Sequence, residues 1–238
     1  NMLERAKEII DDISKQTDEV LLFHSLSGKD SIVLTDLCSP KFKRVLCCFM
    51  YIVKDLEHIN KYYSYFKSKY PNVEFVQVPH YAYYNYIKYG FMGVRRNPKQ
   101  REWTLAQITD KVRERSGIEW ACYGFKQSDS LNRRLMLRSY SDGKEAISWK
   151  TKKFYPLSTY KNAEIRRYIE RNNLKNPETY GGISQSYGTD ITSPEYLYFL
   201  KMNYPNDLKR IYDIFPATLT ILPKYEAKRN KDNQAQSD

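Results

Sequence analysis

Val20-Leu21-Leu22-Phe23-His24-Ser25-Leu26-Ser27-Gly28-Lys29-Asp30-Ser31-Ile32-Val33-Leu34 decides how this chain is read. An apolar run of strand length ends in a hydroxyl-rich turn, and an apolar segment with helical spacing follows. A strand, tight turn and helix in this order gather backbone N–H groups and a helix N-terminus at one point, which attracts phosphate. Ser25, Ser27 and Ser31 add hydroxyl donors and Lys29 a full positive charge. Gly28 lets the backbone come close to an anion. The same pattern also describes a serine-capped helix that binds nothing.

The run is not a Walker A loop. That motif needs a glycine where Phe23 stands and a Ser or Thr where Asp30 stands.

Outward from this segment, strand-like runs alternate with helical patterns. The spacing predicts strands at 20–24, 44–53, 73–78 and 118–123. It predicts helices near 30–37, 56–70, 81–88 and 103–116, with a loop over 89–101. Val45-Leu46-Cys47-Cys48-Phe49-Met50 is apolar throughout, as in a strand buried on both faces. Alternation of this kind implies a parallel sheet with right-handed crossovers, whose ligands bind beyond the carboxyl ends of the strands. After residue 150 the pattern is mainly helical, at 161–172, 194–203 and 205–215, and Gly181, Gly182 and Gly188 mark a flexible stretch. The organisation expected is a nucleotide-binding α/β domain over 1–150, a helical extension over 151–223 and a basic, disordered tail over 224–238.

The 238 residues are 41% hydrophobic, enough to bury a core, and no apolar run approaches membrane-spanning length. No secretory signal is visible; 3–17 reads as an amphipathic helix. Cys38, Cys47, Cys48 and Cys122 contain no C-x-x-C pair, which argues against zinc or iron–sulfur ligation and for a reduced, cytoplasmic setting. A net charge of +11 favours anionic partners. The 22 tyrosines suit core edges with hydroxyls at the surface, or stacking on bases.

A second element is Gly124-Phe125-Lys126-Gln127-Ser128-Asp129-Ser130-Leu131-Asn132-Arg133-Arg134, a glycine turn entering a basic helix. A third is Tyr155-Pro156-Leu157-Ser158-Thr159-Tyr160, followed by Glu164-Ile165 and Tyr168-Ile169. With Ser27-Gly28-Lys29-Asp30-Ser31, these resemble three ordered elements of the phosphoadenosine-phosphosulfate (PAPS) reductase group. That group lies in the adenine-nucleotide alpha-hydrolase, or PP-loop ATP pyrophosphatase, superfamily. The resemblance spans residues 20 to 170. Leu26 and Ser27 replace the loop's first Ser and Gly, Lys126 an arginine, Tyr160 a tryptophan, and Glu164-Ile165 an Asp-Val pair. Tyr51 and Ile52 stand where relatives carry an Asp-Thr that contacts adenosine.

The resemblance implies a doubly wound, mostly parallel, five-stranded α/β sheet with a C-terminal helical extension. It implies binding of ATP or a related adenine nucleotide with Mg²⁺. Lys29 and Asp30 would be catalytic, with Asp30 holding the metal or capping its helix. Ser25, Ser27, Gly28, Lys29, Asp30, Ser31, Gly124, Lys126, Ser130 and Arg133 would hold the nucleotide. The implied reaction is adenylylation of an acceptor, a nucleic acid or a protein, with release of pyrophosphate, in nucleic-acid or sulfur-related modification, the activated acceptor then taking sulfur or an amine from a partner protein. The family's cysteine-bearing segment falls at Gly182–Asp190, which has no cysteine, so no iron–sulfur cluster is expected. The alternatives are a PAPS-binding reductase or sulfotransferase, and a catalytically silent nucleotide-sensing subunit.

Among other residues, His24 is read as structural or as an acid–base group, His58 as a surface residue, and His80 as a residue at the crevice rim. The run Arg95, Arg96, Lys99, Arg101 is either a solvated loop or a contact for substrate or nucleic acid.

Overall fold

The computed structural model describes residues 2–140, 143–178 and 190–236. The expected flexible glycines and the cysteine-free segment Gly182–Asp190 lie outside them, apart from Asp190.

The apolar runs become strands where the sequence predicts. They are β1 (Glu19–Phe23), β2 (Arg44–Tyr51), β3 (Val73–Pro79) and β4 (Ala121–Cys122), and two strands that the sequence reading did not place, β5 (Ile147–Ser148) and β6 (Lys153–Phe154), join them. Their order in the sheet is β3-β2-β1-β4-β6-β5. β1 pairs in parallel with β2, Glu19 opposite Arg44 through Phe23 opposite Cys48, and with β4, Leu21 opposite Ala121. β4 pairs in parallel with β6, and β5 with β6 antiparallel.

The sheet is mostly parallel, as expected, but has six strands among the described residues rather than five. β5 and β6 are two residues each, too short to carry an alternating pattern. β4 is also shorter than the run 118–123, although the Leu21 N–H donates to the Trp120 carbonyl and the Tyr123 N–H to the Phe154 carbonyl. The order in which the chain adds strands reverses between β1 and β4, β2 and β3 lying on one side of β1 and β4 on the other, so the switch point lies between the loops that follow β1 and β4.

The helices are α1 (Glu4–Ser14), α2 (Lys29–Cys38), α3 (Glu57–Lys69), α4 (Tyr81–Tyr89), α5 (Leu105–Ser116), α6 (Leu131–Arg138), α7 (Asn162–Arg171), α8 (Pro194–Asn203), α9 (Pro205–Ile214) and α10 (Ile221–Ala235). α1 buries Ala6, Ile9, Ile10 and Ile13, a stripe at helical spacing. α7 packs on α2, where the Tyr168 and Tyr70 hydroxyls donate to the two Asp36 carboxyl oxygens at 2.7 and 2.8 Å. α8 opens with Ser193 accepting from the Tyr196 N–H and Pro194 in its first turn.

The chain divides into two compact units that interleave along the sequence. The first comprises 1–50, 62–78 and 105–178, and the second 51–61, 79–104 and 179–238. The first holds most of the sheet. In the second, α8 packs against both α9 and α10, and Leu197, Leu200, Ile211 and Phe215 are buried.

The tail expected to be disordered is helical through Ala235. Leu222 is buried, Lys201 pairs with Glu226 at 2.6 Å, and the Arg229 guanidinium lies 4.5 Å over the Tyr198 ring. These contacts anchor the first turns, and good helix formers continue it.

Among the described residues, no helix is long and apolar enough to cross a membrane.

Candidate functional site

The turn after β1 is built by its own side chains. Leu26 sits at φ 63 with its side chain fully buried, a left-handed backbone that costs about 1 kcal/mol and persists because the surroundings hold it. The Leu26 N–H donates to His24 Nδ1 at 2.8 Å, which leaves Nε2–H to donate to Thr35 Oγ1 at 2.8 Å. Thr35 Oγ1 in turn donates to the Ser31 carbonyl. The imidazole thus ties the turn to α2, and His24 is a structural residue.

Burial in an apolar surround lowers the His24 pKa to about 3. The unfolded chain therefore takes up a proton below about 6.5 that the folded chain refuses. Stability from this group is complete above that value and is lost as pH falls toward 3, by about 1.4 kcal/mol per pH unit. Chemical denaturation across this range should show that slope in the wild type and a flatter one in His24→Asn.

Ser25 donates its N–H to Ser31 Oγ at 2.8 Å, and the two hydroxyls lie 3.0 Å apart. Ser27 is buried; its N–H donates to the Ser25 carbonyl, and its carbonyl accepts from the Glu178 N–H. Gly28 is the N-cap of α2 in extended conformation, and a Cβ there would strike Ser25 Oγ. No side chain caps α2, and the N–H groups of a helix's first turn have no acceptor within the helix.

Beside that terminus lies a charge cluster. Asp30 Oδ2 accepts from Lys126 Nζ at 2.8 Å and from Lys29 Nζ at 3.4 Å. Lys126, only 1% exposed, also pairs with Asp129 Oδ1 at 3.0 Å, and its N–H donates to Asp129 Oδ2. Asp30 Oδ1 is buried and has no partner among the described residues. Gly124 permits this approach of the two loops, since a Cβ there would sit 3.1 Å from Asp30 Cβ.

The third motif braces the second. The Gln127 N–H donates to the Ser158 carbonyl, Gln127 Nε2 to Glu145, and Ser158 Oγ to the Glu145 carbonyl. Glu164 accepts from the Lys161 N–H and closes the start of α7.

The structure thus brings together Ser25, Ser27, Gly28, Lys29, Asp30, Ser31, Gly124 and Lys126. Ser130 and Arg133 make other contacts. Ser130 caps α6 by accepting the Arg133 N–H, and the Arg133 guanidinium lies 3.5 Å over the Phe125 ring. Asp129 was not singled out from the sequence, although its place three residues after Lys126 in a turn was the available signal.

All four cysteines are buried and free. Burial pushes the Cys48 thiol up to about 12 and raises Cys47 and Cys122 well above the ordinary range, so none of these three is poised as a thiolate. His80 caps α4 by accepting the Ala82 N–H at Nδ1.

His58, expected at the surface, is fully buried: its Nδ1 lies 2.8 Å from Asp207 Oδ2 and its Nε2 3.2 Å from the Tyr196 hydroxyl. Its charged neighbours in sequence suggested solvent, but Asp207 lies 149 residues away along the chain.

Cavity size does not select this site. A hollow of about 600 Å³ lies along α8 and α10, lined by Glu195, Thr220, Lys224, Tyr225, Lys228 and Arg229. One of about 420 Å³ includes Glu19, at the amino end of β1. Ligands of such sheets bind at the opposite, carboxyl end.

The fold and site define a mostly parallel α/β protein with a helix N-terminus that no side chain caps, beside a lysine–aspartate cluster, at its switch point. Its fold is similar to two solved structures. One is the U34-tRNA thiolase NcsA from Methanococcus maripaludis with its [4Fe-4S] cluster, at 15% identity over 92% of this chain and 78% of that one, TM-score 0.47. The other is the NH3-dependent NAD synthetase from Campylobacter jejuni in complex with the nitrate ion, at 14% identity over 91% of this chain and 93% of that one, TM-score 0.46. No protein-family model matches the sequence, and no curated protein matches it. The chemistry is therefore argued from this chain's own residues.

Proposed function

We propose that this chain is a PP-loop enzyme that binds ATP, or a related adenine nucleotide, against the turn after β1 and the start of α2. There it promotes attack of an acceptor oxygen on the alpha-phosphorus. The bond from that phosphorus to the bridging oxygen breaks, the acceptor is adenylylated, and the electron pair leaves with pyrophosphate. The observation that carries this reading is the Lys29–Asp30–Lys126 cluster beside an α2 N-terminus that no side chain caps.

The α2 N–H groups and the Ser25 and Ser31 hydroxyls would bind the phosphate oxygens, and Lys29 would neutralise charge growing on the leaving group. Lys126 supports Asp30 with charge but lacks the two-pronged geometry of arginine. The partnerless Asp30 Oδ1 suits Mg²⁺, which is commonly held by one or two carboxylates together with substrate phosphates. Once bound, that ion would neutralise phosphate charge; Asp30 is the residue that would hold it.

Calorimetry with ATP, AMP and PAPS, together with a pyrophosphate-release assay, tests the reading. Lys29→Ala should lower the rate by about 10²–10³ while leaving the fold intact. Full activity in that variant, or no heat with any nucleotide, overturns the assignment.

The buried, raised thiols of Cys47, Cys48 and Cys122 weigh against the PAPS reductase alternative, which needs a thiol to carry sulfur. Nucleotide binding without pyrophosphate release from any acceptor would favour the sensing subunit.

A further inference from the structure

The loop between α4 and α5 carries Arg95, Arg96, Lys99 and Arg101, four cations within seven residues and no acid among them. All four are exposed, and none is neutralised by a carboxylate among the described residues. The acid that follows, Glu102, is already engaged, pairing with Lys88 at 3.4 Å and accepting from the Tyr89 hydroxyl at 3.1 Å. Arg96 Nε donates to the Lys88 carbonyl, and the Arg101 guanidinium stacks 4.2 Å over the Trp103 ring. Neither contact cancels charge.

The loop is held in shape. The Asn97 N–H donates to the Ile87 carbonyl at 2.9 Å, the Gln100 N–H to the Asn97 carbonyl at 3.0 Å, and the Lys99 N–H to Asn97 Oδ1 at 3.1 Å. Gly90, at φ 71, ends α4 and turns the chain into this loop. A solvated charge run needs no such framework, whereas a prearranged row of cations loses less entropy when it meets a polyanion. Tyr89 lies beside it, 63% exposed, with Lys88 Nζ 5.5 Å over its ring.

We infer that this loop and Tyr89 form a docking surface for single-stranded nucleic acid, the cations on successive phosphates and the Tyr89 ring under an unpaired base. A duplex would satisfy the cations but offer no base to the tyrosine.

The test is fluorescence anisotropy of the full chain with labelled oligouridine and oligothymidine at a series of salt concentrations, without nucleotide triphosphate. Its failure therefore leaves the reading of the β1–α2 turn standing. The combined change Arg95→Ser, Arg96→Ser, Lys99→Ser, Arg101→Ser should weaken binding at least ~10-fold and reduce the log–log salt slope by about 2–3. Tyr89→Ala should weaken binding ~5-fold or more with an unchanged slope. Lys99→Glu, a single change at an exposed position, should weaken binding without altering the melting temperature. Lys224→Ser, Lys228→Ser, Lys231→Ser on α10 should leave binding as it was. Preference between the two oligonucleotides assigns RNA or DNA. The inference is overturned by absence of salt-dependent binding, by a larger loss in the α10 variant, or by equal or tighter binding to duplex DNA, an acidic polypeptide or anionic lipid vesicles.

Discussion

Asp207→Ala is expected to lower the unfolding free energy by about 3–5 kcal/mol, among the larger effects a single change produces. Asp207 is fully buried in the first turn of α9, and its carboxyl group does two things. It accepts the backbone N–H groups of Glu57 and His58, at 2.7 and 3.0 Å, at the start of α3, where a helix has no partners of its own. It also binds His58 Nδ1 at 2.8 Å. Alanine leaves the buried His58 N–H and Nδ1 and the part-buried Glu57 N–H without this acceptor, at a desolvation cost of about 1–3 kcal/mol for each buried group and less for the third. A loss of that size moves the melting temperature down by about 6–20 °C for a chain of this length. Asp207→Asn should fall between the two, because one amide oxygen replaces two accepting oxygens and the amide nitrogen meets a donor. Calorimetric melting of the three proteins decides it; an unchanged Asp207→Ala melting temperature would show that the start of α3 does not need this cap.

Lys126→Met should cost about 2–3 kcal/mol, less than a fully enclosed ion pair, because the side chains of Asp30 and Asp129 keep 24% and 34% of their exposure. The methylene stem remains packed, so the loss reports the ammonium group. The two carboxylates are then left facing the place that it held. Asp30→Asn removes one of those charges, so in the Lys126→Met background it should cost much less than in the wild type. A coupling of about 1–3 kcal/mol from a double-mutant cycle would confirm that the two act as a unit. Additive effects would mean that Lys126 is placed by packing alone. On the proposed function, Lys126→Met also weakens nucleotide binding, which calorimetry reads separately from stability.

The parallel core was legible because its signals are local. Val20 to Phe23 and Val45 to Phe49 are apolar without interruption, and Pro194 and Pro205 open their helices where the sequence places them. The β5–β6 hairpin was not legible, since strands of two residues have no period to read. The helix through Ala235 was missed because its composition resembles a solvated tail, while the ion pair and ring contact that anchor it come from Lys201 and Tyr198 on another helix.

At the candidate site, the turn and the glycine-led loop could be read as separate motifs. That Lys126 reaches Asp30, 96 residues away along the chain, could not. His58 shows the same gap: its burial depends on a carboxyl group far along the chain, and nothing in Glu57-His58-Ile59 announces it.

The close approach at Gly124 restricts one position without restricting the other. With only 3.1 Å between Asp30 Cβ and the place a Cβ would occupy, any residue larger than glycine at 124 presses on position 30, whereas Leu34, at 3.6 Å, would be in ordinary contact. A side chain at 124 therefore requires the facing loop to give by a few tenths of an ångström. A substitution at 30 that keeps its Cβ leaves Gly124 undisturbed, so the carboxylate can be exchanged while the spacing of the two loops is retained.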